Sequence, residues 1–208
     1  MAKALQRKPR DEARKARNEL YRQHILEAGE KVFADRGFEA AKLQEISALV
    51  GLSMGTIYAI FPSKADLLRA IVEERGRSIL QLARAVAARD APPREVLKAL
   101  IETYIGFFVA HPDFLRMHLR AGTSWVLSPG DTDSRIQLWQ DVHALQADIF
   151  RRGIAAGVFV DEDPGYLARM FSAMDQVLLA DWVESGMKAA QAELVGRLQQ
   201  LVERAFCR

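Results

Sequence analysis

The sequence predicts an all-α fold in about nine helices, with a small three-helix head followed by a larger helical bundle. Apolar residues recur at three- and four-residue spacing over most of the chain, the period of amphipathic helices. Half of the 208 residues are hydrophobic, which is enough for a sizeable core. Residues 43–64 contain two short apolar-periodic segments joined at Gly51, a pattern typical of a helix-turn-helix.

The head is predicted to contain three helices. The first begins near Arg17 and ends at Gly37, since glycine suits the left-handed position after a helix. Two short helices then flank Gly51, and Ser53 is a good N-cap for the second. Phe61-Pro62 ends that helix. The apolar positions expected to face the core of the head are Leu20, Ile25, Ala28, Val32, Phe33, Ile46, Leu49, Leu52 and Ile57.

The body is predicted to consist of long helices. Ser63 and Asp66 have capping-box form and begin a helix that runs to about Ala88. Asp163-Pro164 is an N-cap followed by a proline at the first helical position. Further helices are predicted over residues 93–110, 112–120, 134–156, 164–185 and 189–206, with a loop at 121–133. The chain therefore divides into a basic flexible arm at 1–16, a head at 17–62 and a body at 63–208.

Composition excludes several classes of protein. No apolar run reaches the ~20 residues of a membrane span, so no membrane partner is expected. The single cysteine, Cys207, excludes a disulfide framework and fits a reducing cytoplasm. No phosphate-binding glycine loop, nucleophile elbow or metalloprotease motif is present, so an enzyme is not expected, nor a cofactor. His111 and His118 lie seven residues apart, but Pro112 interrupts them and no third ligand is evident, so no metal site is expected.

Charge is distributed unevenly along the chain. Residues 1–64 carry 12 Lys and Arg against 8 Asp and Glu, whereas residues 65–208 carry 17 against 19. A basic head on a slightly acidic body indicates a polyanion partner for the head, such as double-stranded DNA. A basic tail that serves only solubility is the alternative interpretation.

The head also has the polar groups that a phosphate backbone needs. Helix N-termini attract phosphate, and two are predicted, at Ser53 and Ser63. Lys64 is unfavourable at a helix N-terminus, which is easier to explain if it meets a DNA phosphate. Tyr58 carries a hydroxyl on the outward face, and Gly55 allows close approach to a groove.

Together these residues resemble the TetR family of transcriptional regulators over roughly residues 17–70. The resemblance implies a three-helix DNA-binding head, a linking fourth helix and an all-helical ligand-binding and dimerisation domain. It also implies that Ser53, Thr56, Tyr58 and Lys64 contact phosphates and that Gly55 faces the groove. The residues that carry it are Ile25-Leu26-Glu27-Ala28, Phe33, Arg36-Gly37-Phe38, Ile46-Ser47, Gly51-Leu52-Ser53, Gly55-Thr56-Ile57-Tyr58, Phe61-Pro62-Ser63-Lys64 and Leu67-Leu68.

The sequence departs from the family pattern at two places. Lys42 stands where the family often has a small hydroxyl residue, and it can still reach a phosphate as a flexible point charge. Ala59 and Ile60 follow Tyr58 and carry no side-chain hydrogen-bonding group, so direct base readout by this helix is expected to be sparse. We expect Arg14 and Arg17 of the basic arm to supply part of the affinity.

Large aromatic and methionine side chains around a few polar atoms predict an apolar small-molecule pocket in the body, with ordinary core as the alternative for each residue. The pocket candidates are Tyr104, Phe107, Phe108, His111, Met117, His118, Trp125, Trp139, His143, Met170 and Met174. Asp175 is either a ligand contact or a buried partner of Arg169 or His143.

The last two helices are candidates for a homodimer interface. Residues 152–157 with 161–164 are similar to a common family link, which implies that the two helices after it pack against their copies. Packing within the chain is the alternative. The interface candidates, which recur at helical spacing, are Leu167, Phe171, Leu178, Trp182, Leu194, Leu198 and Leu201.

The sequence thus predicts a homodimeric, ligand-responsive repressor that binds a palindromic DNA site and is released by a small apolar effector. One alternative is a structural DNA-binding protein of the same fold without an effector. A helical-bundle lipophile carrier or enzyme is a second alternative, which the missing catalytic residues and the basic head disfavour.

Overall fold

The computed structural model describes the backbone of residues 7–120 and 134–208, and the side chains of these residues except 7–11 and 134–138. The predicted loop at 121–133 lies outside the described residues, as do residues 1–6. Over the described part the chain is all-helical apart from one β-bridge between Phe159 and Cys207, which confirms the predicted fold class. The helices are α1 (Arg7–Ala40), α2 (Leu43–Val50), α3 (Met54–Ile60), α4 (Lys64–Ala87), α5 (Pro93–Ala110), α6 (Pro112–Arg120), α7 (Ser134–Ala155), α8 (Pro164–Glu184) and α9 (Gln191–Phe206).

The chain forms two compact units, Met1–Val72 and Glu73–Arg208. Helix α4 contributes residues to both, since the division falls after Val72. Ser63 caps α4 as predicted: its Oγ accepts a hydrogen bond from the Asp66 backbone N–H and donates one to the Asp66 carboxylate, at 3.0 Å and 2.7 Å.

Helix α1 begins at Arg7, ten residues before the predicted start. The segment before Arg17 is rich in Arg, Lys, Glu and Ala, which are strong helix formers, and Pro9 falls in the first turn, where it is tolerated. Hydrophobic periodicity reports only on burial, and residues 12–16 are exposed, so it could not reveal the extension. At Gly37 the backbone leaves the helical conformation, with φ 77° and ψ 163°, before a last turn to Ala40.

The core of the head lies where α1, α2, α3 and the start of α4 meet. Its largest side chains, fully buried, are Ile25, Phe33, Ile46, Ile57, Leu67 and Ile71. Two predicted core residues are exposed instead: Leu20 by 53% and Leu49 by 55%. Leu43 and Ile46 already fill the buried face of the two-turn helix α2, and Leu49 is rotated beyond it.

The body is built around α5, which packs on α6, α7 and α9, while α7 packs along α8. As predicted for so apolar a helix, α5 is buried on more than one face. Its buried residues are Val96, Leu97, Leu100, Ile101, Tyr104, Ile105, Phe107 and Phe108.

Tight packing fixes the link after α7. Gly153 has no side chain because the Phe159 ring occupies that space: a Cβ would lie 2.0 Å from the ring. The Phe150, Phe159 and Phe206 rings cluster there, with centroids 5.3–5.4 Å from Phe150. As predicted, Asp163 then caps α8 by accepting a 2.7 Å hydrogen bond from the Tyr166 N–H.

In the described ranges no single helix is long and apolar enough to cross a membrane. The bent pair α2 and α3, with 107° between them, reaches that length and apolarity only when the two are taken together.

Candidate functional site

Ser53 and Thr56 fix the N-terminus of α3. The Ser53 hydroxyl accepts a 3.2 Å hydrogen bond from the Thr56 N–H and lies 3.0 Å from the Thr56 hydroxyl. Ser53 has extended backbone angles, as an N-cap requires. The cap thus places one exposed and one half-exposed hydroxyl at the N-terminus of α3, an arrangement that can bind a phosphate.

The outward face of α3 is small and mostly apolar. Gly55, Tyr58 and Ala59 are exposed and Ile60 is half-buried, whereas Ile57 anchors the helix in the core. Tyr58 is 49% exposed, so its hydroxyl is free to reach outward. A Cβ added at Gly55 would meet nothing nearer than the Ser53 Oγ at 3.8 Å, so the site has room for a close-lying partner.

The two lysines that frame this region differ in their surroundings. Lys42 is exposed and precedes α2 without a side-chain capping hydrogen bond. Lys64 is half-buried, and its ammonium donates to the carbonyl oxygens of Phe38, Glu39 and Ala41 at 2.5, 3.0 and 3.1 Å. These contacts tie the end of α1 to the start of α4, a structural role that the sequence interpretation did not foresee because the partners lie more than 20 residues away.

Helix α1 supplies polar groups beside the C-terminal end of α3, where Ala59 and Ile60 carry no hydrogen-bonding side chain. A surface groove of about 650 Å³ is lined by Lys15, Ala16, Asn18, Glu19 and Arg22 on α1 and by Ala59 and Ile60 on α3. The Arg22 guanidinium lies 5.2 Å from the centre of the Phe61 ring, which holds it close to the end of α3. The sequence singled out Arg14 and Arg17 near here, whereas the side chains that line the groove include Lys15, which precedes the predicted start of α1, and Asn18 and Arg22.

Most of the predicted effector-pocket residues lie inside the body. Tyr104, Phe107, Phe108, Met117, His118 and Trp139 are buried, and His111, His143 and Met174 are half-buried. Met170 is 37% exposed on α8, on the helix face opposite Ser172, so it does not line the interior. Trp125 lies outside the described residues.

Five polar residues on α5, α7 and α8 form a cluster in this interior. Ser172 donates to the Gln146 side-chain oxygen at 3.0 Å, and His143 Nε2 lies 3.1 Å from the Ser172 hydroxyl. Gln146 donates in turn to the Tyr104 hydroxyl at 3.5 Å. Asp175, one turn after Ser172 on α8, is 3% exposed.

Burial shifts the protonation of these groups towards their neutral forms. It raises the pKa of Asp175 to about 7. It also raises the pKa of Tyr104 well above its usual range; the hydrogen bond from Gln146 opposes this rise, and the negative charge of Asp175 adds to it. Burial, and secondarily Arg169, lowers the pKa of His143. Burial also lowers the pKa of His118 to about 4, between Phe114 and Trp139. Across the described residues, no three His, Cys, Asp or Glu side chains lie close enough together to hold a metal ion.

The predicted dimer-interface residues mostly face the interior of their own chain. Six of the seven are at most 6% exposed and only Leu201 is exposed; the buried ones are Leu167, Phe171, Leu178, Trp182, Leu194 and Leu198. Val177, 70% exposed, and Leu201, 41% exposed, are large apolar side chains of α8 and α9 that lie at the surface. They line a groove of about 540 Å³ with Ala173, Met174, Leu178, Asp181 and Arg197.

Two family models together match most of the chain. The model described as "Bacterial regulatory proteins, tetR family" matches residues 25–71, which hold α2, α3 and the capped N-terminus described above. The model described as "Tetracyclin repressor-like, C-terminal domain" matches residues 90–205, more than half of the chain.

Characterised relatives match over shorter stretches. The chain is 26% identical over 141 residues to the HTH-type transcriptional repressor NicS of Pseudomonas putida, covering 68% of this chain and 66% of the relative. It is 31% identical over 101 residues to the HTH-type transcriptional activator FasR of Mycolicibacterium smegmatis, covering 49% and 42%. The matches thus span less than two thirds of the length of these relatives.

Solved structures share the fold along nearly the whole chain. The TetR family regulator PfmR of Thermus thermophilus superposes with a TM-score of 0.73 at 24% identity, covering 87% of this chain and 97% of that one. The fatty acid degradation regulator FadR of Bacillus halodurans superposes with a TM-score of 0.72 at 21% identity, covering 86% and 96%. At these identities the likeness establishes the fold alone.

Proposed function

The chain belongs to the TetR family of transcriptional regulators, and we propose that it acts as a ligand-responsive repressor that binds a palindromic operator as a homodimer. Residues 17–62 form the DNA-binding head in this proposal, and residues 63–208 bind the effector and the second copy. One observation carries it: the capped N-terminus of α3 presents Ser53, Thr56 and Tyr58 together on an exposed surface.

The DNA contacts divide into positioning and readout. Ser53, Thr56, Tyr58 and Lys42 bind phosphates. Lys64, whose three N–H donors meet backbone carbonyls, adds its positive charge at the N-terminus of α4. Gly55 and Ala59 bring the α3 backbone close to the base edges in the major groove. Since these side chains offer no hydrogen bonds, apolar contact with thymine methyl groups and DNA shape contribute most of the sequence preference.

The polar side chains of α1 that line the groove beside Ala59 and Ile60 supply additional affinity for DNA. Lys15 and Arg22 stand beside Ala59 and Ile60, so a DNA strand that follows α3 passes within reach of both cations. We propose them, together with Arg14 and Arg17 of α1, as phosphate contacts. The basic excess of the first 64 residues fits this arrangement.

Salt dependence of DNA binding tests the head. A random DNA pool is selected for bound sequences, and the affinity for the selected site is then measured at several salt concentrations. Lys15→Ala is expected to reduce the slope of log affinity against log salt by about 0.9, the value for one phosphate contact. Lys31→Ala is the matched control, because this exposed lysine lies on α1 against Leu49 and Val50, away from Ala59 and Ile60.

Repression is supported over activation by the longer match to the repressor NicS, which covers 68% of this chain against 49% for the activator FasR. The effector must bind the DNA-free arrangement better than the DNA-bound one, since otherwise it shifts nothing. Screening metabolites for release of the selected DNA tests this step. If the protein binds its selected DNA and no compound releases it, the proposal of a ligand-responsive regulator is contradicted. That outcome favours a structural DNA-binding protein.

A further inference from the structure

The polar cluster of the body, Tyr104, His143, Gln146, Ser172 and Asp175, has one acceptor without a donor. Its hydrogen bonds form a directed chain: the Ser172 hydroxyl donates to Gln146, so that hydroxyl accepts from His143 Nε2. The Gln146 amide donates to Tyr104. Tyr104 accepts in that bond, so its own hydroxyl hydrogen is not used by it, and none of the three bonds ends on Asp175.

Asp175 Oδ1 is fully buried and has no hydrogen-bond partner in the described part of the chain. More than nine in ten buried polar groups in proteins are hydrogen-bonded, and an exception calls for a physical cause. A buried carboxyl oxygen left without a donor costs free energy, and an uncompensated buried charge costs more. A proton on the other oxygen removes the charge but leaves this acceptor unsatisfied.

The surroundings favour a cation as the missing donor. Phe171 lies one turn before Asp175 on α8, and its ring centre is 6.3 Å from that of Tyr104. Aromatic faces attract ammonium groups, and the effect grows when the cation is desolvated. Arg169, six residues before Asp175 on α8, is exposed, and its guanidinium lies 5.8 Å from the centre of the Tyr166 ring.

We propose that Asp175 is the polar anchor of the effector site and that it binds an apolar molecule carrying a protonated amine. This rests on the proposed function, since it assigns the chemistry of the effector to the same interior. The amine donates to Asp175 Oδ1, and the apolar part of the molecule packs against the aromatic side chains of α5 and α8.

Proton exchange gives this assignment a second signature. Because burial raises the pKa of Asp175 to about 7, a large fraction of the empty sites holds a proton near neutral pH. A bound ammonium stabilises the carboxylate, so the carboxyl proton is released to solvent as the cation binds. An apolar molecule without charge produces no such release.

Thermal unfolding of the 208-residue protein tests the proposal with small probes of two shapes, each in a cationic, a neutral and an anionic form. Benzylamine and hexylamine are compared with benzyl alcohol, hexanol, benzoate and hexanoate at equal concentration. We expect the amines to raise Tm and the carboxylates to leave it unchanged. In Asp175→Asn, which keeps the volume and burial, the apparent affinity for the amines is expected to fall at least about tenfold.

Calorimetry of the unaltered protein with benzylamine, in buffers of different ionisation enthalpy, gives a readout that needs no variant. Binding is expected to release a fraction of a proton at pH 7. Equal stabilisation by the alcohols and amines, amine binding that Asp175→Asn leaves unchanged, or binding without proton release overturns the proposal.

DNA binding by the same preparations separates this proposal from the proposed function. A protein that binds its selected DNA but shows none of the amine effects contradicts only the assignment of Asp175. A protein that binds amines as described but no DNA contradicts the proposed function instead.

Discussion

The ammonium of Lys64 lies 4.5 Å from the centre of the Phe38 ring and donates a hydrogen bond to the Phe38 carbonyl oxygen. Glu39 and Ala41 offer two further carbonyls. Orphan carbonyls at a helix end attract cations, so a lysine that is unfavourable at the N-terminus of α4 is favourable at the C-terminus of α1. The position therefore serves the fold of the head.

Lys64→Met is expected to destabilise the head by about 1–3 kcal/mol, because it removes charge-assisted hydrogen bonds from half-buried carbonyls. Lys42→Met removes the same charge from an exposed site and should change stability by less than about 0.5 kcal/mol. Denaturant unfolding followed by far-ultraviolet circular dichroism measures both. Both substitutions are expected to weaken DNA binding. Equal stability of the two variants would mean that the carbonyl contacts of Lys64 contribute nothing.

Gly37 adopts a backbone conformation that other residues avoid. Its φ of 77° with ψ of 163° lies in a region that is essentially restricted to glycine. Gly37→Ala is expected to cost about 1–3 kcal/mol in the same unfolding experiment.

Gly51 is the matched control for Gly37. It also has a positive φ, but its angles of 66° and 26° are those of the left-handed helical region, which asparagine tolerates. A Cβ at Gly51 would meet no atom within 4 Å. Gly51→Asn is therefore expected to lower the free energy of unfolding clearly less than Gly37→Ala. The reverse order would show that backbone conformation does not determine which residues these two positions accept.

Local signals in the sequence were sufficient to locate most helix boundaries. Ser53, Ser63 and Asp163 cap their helices in the structure as they were expected to, because a cap depends only on the next three residues. Helical periodicity likewise identified α5 as a helix buried on several sides.

Features that depend on distant partners were beyond the sequence. Lys64 contacts carbonyls 23–26 residues away. Whether His143 is the hydrogen-bond partner of Asp175 could be decided only from the structure, in which His143 is bonded to Ser172 instead. The period of α8 and α9 also shows which positions are apolar but not whether they face α5 or solvent. For this reason the sequence listed Leu198, which is fully buried, beside Leu201, which is exposed, and did not indicate that Val177 is exposed.

Val177 is expected to be central to the proposed homodimer. It is 70% exposed and lies with Leu201 in an apolar groove of α8 and α9, which a second copy could cover. Val177→Asp would bury a charge in that contact and is expected to convert the dimer to a monomer of 23.3 kDa, as measured by sedimentation or light scattering.

Leu82→Asp provides the control for Val177→Asp. Leu82 is 46% exposed on α4, outside that groove, so its replacement should leave the mass of the assembly unchanged. Dissociation by Leu82→Asp, or an intact dimer in Val177→Asp, would place the interface on another surface.

The raised pKa of Asp175 makes stability fall as pH rises. Between its unfolded value of 3.8 and about 7, the folded state retains a proton that the unfolded state has released. The stability advantage of the native chain over Asp175→Asn is thus fullest below pH 3.8, decreases as pH rises to 7 and is then constant. The total change is on the order of 4 kcal/mol, from 1.36 kcal/mol per pKa unit. Urea unfolding of both chains at intervals of pH measures it, and a constant difference would mean that Asp175 titrates alike in the folded and unfolded states.

His118 acts in the opposite direction, because its pKa is lowered. Burial between Phe114 and Trp139 brings that pKa from 6.5 to about 4, so from pH 6.5 downwards the unfolded state binds a proton that the folded state does not. Its contribution to stability is present above pH 6.5 and is lost progressively as pH falls to 4, by on the order of 3 kcal/mol. His118→Gln carries no titratable group, so its stability should depend less on pH in this interval than that of the native chain. Over the same interval the contribution of Asp175 to stability increases as pH falls. Comparing the double variant, His118→Gln with Asp175→Asn, with each single variant therefore separates the pH dependence of the two residues. A loss of stability in acid that persists in His118→Gln would have to come from other groups.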